Sequence, residues 1–133
     1  MFEEVLDYQI EIAHAAIDAG AGVVMGHGPH DACAVEMYGG KPIFYGLGSF
    51  SFHTGHGGRA HGDWVGMLGR LSFEDATLVE VAFSMVRHNT RNETYICDPS
   101  QDKEAVEEIM RRCDKFGTTL TISGSELIVG QKP

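Results

Sequence analysis

The sequence predicts an α/β fold of the α+β kind, rich in β-hairpins and carrying two helices. Three observations lead there. Apolar residues recur at three- and four-residue steps over residues 2–19, and a short glycine-bounded apolar run follows at residues 22–26. Two β-rich runs flank Gly39-Gly40, a strong hairpin signal. Two more pairs of β-rich runs flank residues 74–76 and 123–125, with a second helical pattern between them.

The first helix, residues 2–19, places Val5, Leu6, Ile12, Ala13, Ala16 and Ile17 on one face, and Gly20 stops it. No N-cap residue precedes it, so the helix is expected to belong to something longer. Residues 22–26 read as a short buried strand. A helix running into such a strand is the second half of a βαβ unit, with its first strand missing. Residues 34–38 and 42–47 form the Gly-Gly hairpin.

Residues 48–62, GSFSFHTGHGGRAHG, carry five glycines and three histidines and read as a loop. A loop of this length is uncommon in a domain unless it has a function or is disordered. Residues 64–73 and 77–87 form a second hairpin. Asp98-Pro99 opens the second helix, whose stripe is Val106, Ile109, Met110 and Cys113. Its acidic residues come early and Arg111, Arg112 and Lys115 late, as the helix dipole favours. Gly117 ends it, and residues 119–122 and 126–129 make a third hairpin. No repeat or linker interrupts residues 1–133, which are expected to form a single domain.

Nineteen acidic against ten basic residues give a formal charge of −9, which disfavours nucleic acid or an anionic membrane as a general partner. No run approaches the ~18 apolar residues of a membrane span, and no basic-apolar leader opens the chain. The location of any longer protein, cytoplasm or envelope, stays open on these grounds. Cys33, Cys97 and Cys113 form no C-x-x-C pair and no disulfide framework. Neither a G-x-S-x-G nucleophile elbow nor a phosphate-binding P-loop occurs.

Histidine carries the chemistry that remains. In VVMGHGPHD, residues 23–31, His27 and His30 sit in a short loop after an apolar strand, the sheet edge where α/β proteins bind ligands. Neutral imidazole is a common ligand for borderline metals, and glycine and proline would hold the pair in one geometry. The same spacing also fits a polar turn with two surface histidines. His53, His56, His61 and Asp63 in the long loop are candidate site-lining residues, or a solvated loop. Glu36 is expected to point outward from its strand, the alternative being an acceptor for an imidazole N–H. His14 is expected to touch only its own helix, and His88 to lie at the surface.

Taken together, DAGAG (18–22), VVMGHGPH (23–30), Glu36-x-Tyr38, GKPIFY (40–45) and LGSF (47–50) resemble the bacterial capsule-synthesis (CapA-type) family, also called poly-γ-glutamate synthesis proteins. The resemblance is densest over residues 13–52. It implies the C-terminal half of a metallophosphoesterase-like αββα sandwich, with His27 and His30 as its late metal-binding motif. The implied cofactor is one or more divalent ions: manganese, iron or zinc. The earlier metal motifs of that fold are absent here, so the resemblance implies a C-terminal segment that is inactive alone. Its expected partner is the missing N-terminal half of the fold, or a second copy pairing by strands. Three positions depart from the family pattern: Gly22 stands for its Asp, Gly46 for its Ser, and Ser49 for its Asn or Asp.

Two functional readings follow. In one, the intact protein is a metal-dependent phosphoester hydrolase of capsule biosynthesis, to which this chain contributes two ligands. In the other, the chain is a non-catalytic binding or assembly module whose Gly/His-rich loop contacts a partner. A third possibility is a plain β-core whose histidines have no role.

Overall fold

In the computed structural model, residues 1–51 and 64–133 are described, and they form two helices and eight strands in two sheets. This is the mixed, β-rich α/β architecture the sequence predicts. Helix α1 spans Asp7–Asp18 and so begins later than residue 2. Tertiary contacts take the opening residues away from it: Phe2 is buried in the main core, and the Glu3 N–H donates to the Ala32 carbonyl at 3.0 Å. Gln9 Oε1 accepts the Leu6 N–H at 2.7 Å, half of a capping box that fixes the new start. The buried residues of α1 are Ala13 and Ile17, whereas Leu6 and Ile12, expected beside them, are exposed.

Strands β1 (Val24–Met25), β2 (Val35–Tyr38) and β3 (Lys41–Phe44) form a sheet in the order β1-β3-β2. β1 runs parallel to β3, and β2 antiparallel. Gly39 and Gly40 close the hairpin at φ +59° and +74°, the left-handed pair a type I′ turn requires. The second sheet contains β4 (Gly66–Glu74), β5 (Thr77–His88), β6 (Thr94–Ile96), β7 (Thr118–Ser123) and β8 (Glu126–Gln131). Its order is β4-β5-β8-β7, with β6 also paired to β5.

Strand alternation sorts the small sheet into two faces. Ile43 and Tyr45 face α1 and pack with Ala13 and Ile17. Val35 and Phe44 face the other way and join Phe83, Met85 and Leu127 of the large sheet. Helix, small sheet and large sheet therefore lie in succession. In β5 every residue from Val81 to Val86 is buried, so the expected alternation gives way to burial on both faces.

Helix α2 spans Lys103–Asp114 and starts beyond Asp98-Pro99. Asp98 Oδ1 accepts the N–H and O–H of Ser100 at 2.9 and 2.7 Å, which spends one turn before the helix begins. Ala105, Val106, Ile109 and Cys113 are buried in the main core. Cys113 Sγ accepts the Val35 N–H at 3.4 Å and so serves a buried backbone donor of β2. Among the described residues no helix is long and apolar enough to cross a membrane.

Candidate functional site

The histidine loop leaves the carboxyl end of β1 and is gripped on both sides. Gly26 donates its N–H to the Phe44 carbonyl at 2.7 Å and accepts the Leu47 N–H at 3.1 Å. Its backbone lies so close to the next segment that a Cβ would come within 2.3 Å of the Tyr45 carbonyl oxygen. Only glycine fits there. On the far side the His30 carbonyl accepts the Ser49 N–H at 2.8 Å, and Ala32 donates to the Val65 carbonyl at 2.8 Å. Gly48, at φ +69°, lets the chain pass the Ala32 amide, where a Cβ would stand 2.7 Å away.

Within this frame His27 is exposed and His30 half-buried, both at the carboxyl end of a parallel strand pair. Ser49 Oγ lies 3.5 Å from His30 Nδ1, a long contact. Asp31 was not singled out by the sequence, yet it is buried and its Oδ1 accepts the Val65 N–H at 3.2 Å. His53, His56, His61 and Asp63 lie outside the described residues. Among the described residues, no group of three or more His, Cys, Asp or Glu is placed to hold a metal. Two imidazoles at a strand end fit part of a divalent-metal ligand set, but fall short of the ~3 or 4 protein ligands of a zinc site.

Three expectations are corrected by tertiary packing. His14 reaches beyond its helix: its ring stacks on Tyr38 at 3.8 Å, and Nε2 lies 3.0 Å from both oxygens of Glu36. Glu36 is buried and points at α1, where its Oε2 also accepts the Tyr45 hydroxyl at 2.5 Å. The imidazole it serves is thus His14. Tyr38 completes the clasp by donating to Asp18 at 3.1 Å. The signal was present in the spacing, since His14 and Asp18 share a helix face and Glu36 and Tyr38 share a strand face. His88 is 1% exposed, packed edge-on to Trp64 with ring centroids 5.8 Å apart. Its place on the long, doubly covered β5 explains the burial.

The thiols offer no nucleophile. Burial pushes Cys33, Cys97 and Cys113 each up to about 11, far from a thiolate at neutral pH. Beside Cys33 glycine suits position 46, since a Cβ on Gly46 would meet Cys33 Sγ at 2.8 Å. A cleft of about 240 Å³ opens between α1 and the small sheet, lined by Tyr8, Ile12, Val24, Tyr45 and His27 among others.

These features define a class: an α/β, β-rich chain presenting a clamped histidine loop at the carboxyl ends of parallel strands. Residues 2–54, which hold α1, the small sheet and both histidines, match the family model described as bacterial capsule synthesis protein PGA_cap. Over this segment the chain is similar to the CapA-type capsule-synthesis family. The PGA biosynthesis protein CapA of Bacillus subtilis (strain 168) is 47% identical over 49 residues, 37% of this chain and 13% of that protein. The capsule biosynthesis protein CapA of Bacillus anthracis is 43% identical over 47 residues, 35% of this chain and 11% of that protein. An uncharacterized protein, y4sH, of Sinorhizobium fredii (strain NBRC 101917 / NGR234) is 46% identical over 50 residues, 38% of this chain and 11% of that protein. The match thus spans roughly a tenth of the length of these relatives.

Proposed function

We propose that this chain serves capsule or poly-γ-glutamate biosynthesis as part of a metallophosphoesterase-like protein, and that His27 and His30 are two ligands of its divalent-metal site. The observation that carries this reading is the clamp on the 27–30 loop, which lies inside the family-matched segment. Gly26, Leu47, Ser49 and Val65 hold both imidazoles at one strand end. A bound divalent ion there would polarise a phosphoryl oxygen. The chain's own part is to hold two neutral imidazole donors, while the remaining ligands come from elsewhere in the intact protein. The chain alone is therefore expected not to hydrolyse phosphoesters.

Calorimetric titration with Mn²⁺ and Zn²⁺ tests the ligand assignment. The expected result is measurable binding that weakens at least roughly tenfold in His27→Ala and in His30→Ala, since each removes one of the two proposed donors. Equal affinity in wild type and both variants would overturn it.

One observation favours a second, assembly role. β1 pairs with β3 on one side, and no described strand lies on its other side. Gly26 spends both its N–H and its C=O toward β3 and the segment after it, so by alternation Met25 turns its own pair to the open edge. Exposed Tyr8 and Ile12 of α1 line the cleft against Val24 and Gly26 of this segment, and Met25 is itself exposed. This edge would pair with a strand from the rest of the intact protein or from a second copy. Sedimentation should show mass rising with concentration, and Met25→Lys should suppress the rise. A strict monomer at high concentration removes the second-copy reading.

A further inference from the structure

The geometry points to His88 as a positioning residue for the 27–30 loop, acting through Phe50 and Ser49 in its Nε2–H tautomer. His88 Nε2 lies 2.7 Å from the Phe50 carbonyl oxygen. A carbonyl only accepts, so the proton must be on Nε2. The other ring nitrogen, Nδ1, is buried and has no hydrogen-bond partner among the described residues. Among the described residues, all of this ring's polar work therefore goes into one contact. A side chain kept only to fill space beneath Trp64 would be better served by phenylalanine, which buries no unpaired nitrogen.

The contact leads straight to the candidate site. Thr94 Oγ1 donates to the same Phe50 carbonyl at 2.6 Å, so two donors from neighbouring strands converge on one oxygen. That fixes the Phe50–Ser51 peptide, one residue beyond Ser49, and Ser49 in turn donates its N–H to the His30 carbonyl at 2.8 Å. The chain of contacts runs His88, Phe50, Ser49, His30. It starts on β5, whose residues 81–86 are all buried, and ends on a half-buried loop. A rigid strand thereby sets the position of an imidazole on the far side of the segment.

The functional weight of this role rests on the metal-ligand reading above, but its test needs no metal. Long-range nitrogen–proton NMR on the whole chain, metal-free, should show the His88 ring as the Nε2–H tautomer. In His88→Phe, which keeps an aromatic ring without a donor, the His30 ring signals should shift. The Ser49 amide should then exchange roughly tenfold faster, the loss of about one hydrogen bond. In His88→Gln, which keeps a donor without the ring, both readouts should return toward wild type. The Nδ1–H tautomer in wild type would overturn the inference. So would unchanged His30 and Ser49 signals in folded His88→Phe, or a larger disturbance in His88→Gln than in His88→Phe. If His88→Phe does not fold, the wild-type tautomer and the Gln variant decide alone. Absence of metal binding would sink the ligand reading and leave this result standing.

Discussion

Gly26→Ala is expected to destabilise the chain by about 3 kcal/mol, lowering the melting temperature by on the order of 10 °C. The new methyl would stand 2.3 Å from the Tyr45 carbonyl oxygen and 2.8 Å from its carbon. Both are backbone atoms, so no side chain can swing aside. Relief requires moving β1 away from β3, which breaks the bonds from Gly26 to Phe44 and from Leu47 to Gly26. The same shift would displace His27, so any metal affinity should fall with the melting temperature. Gly22→Ala is the control, because nothing lies within 4 Å of its added Cβ. Thermal melts of the two variants check the claim. A Gly26→Ala protein melting within about 1 °C of wild type would contradict this packing, given the ~3–5 °C expected per kcal/mol at this size.

Glu36→Ala should cost about 2–3 kcal/mol, because it strands the buried Tyr45 hydroxyl and removes the partner of His14. Glu36→Gln keeps an acceptor for the tyrosine and should lose less. The helix that Glu36 anchors also walls the cleft beside His27, so amide exchange in α1 should quicken in the Ala variant. Denaturant melts of Glu36→Ala, Tyr45→Phe and the double variant measure the coupling. Additive losses would show that the two side chains do not cooperate.

A pH dependence goes with this network. Burial first, and the hydrogen bond to Glu36 second, raise the Tyr45 phenol above its ordinary value of 10.0. A group whose folded value is raised contributes stability that is fully present below its unfolded value and lost as pH rises toward the folded one. Stability should therefore fall as pH rises above about 10, and Tyr45→Phe should flatten part of that limb. The three buried thiols, raised from 9.0 to about 11, add their own loss from about pH 9 upward. A Tyr45→Phe profile superimposable on wild type above pH 10 would contradict the assignment.

Local signals carried a good part of the fold. Gly39-Gly40 marked the first hairpin because adjacent residues with positive φ are cheap only for glycine. The turns at residues 75–76 and 124–125 and the apolar stripe of α2 followed from the same short-range physics. At the candidate site, the string from residue 18 to residue 50 was enough to indicate the family and to single out His27 and His30.

What the chain could not announce is what meets each face. His14 looked like a helix-surface residue because spacing says which side chains lie together, not which strand will lie beneath them. Glu36 and His88 were misplaced for the same reason, and Asp31 went unnoticed because its partner is 34 residues away at Val65. The start of α1 moved because Ala32 and the core claim Glu3 and Phe2, overriding local periodicity. By itself, then, the sequence determined the element types and the glycine turns, set by steric rules spanning a few residues, and it put forward His27 and His30 as ligands only through a resemblance. Tertiary structure alone decided the clamp on the 27–30 loop, the clasp between His14 and Glu36, and the burial of His88. Those depend on hydrogen-bonding groups brought together across the chain.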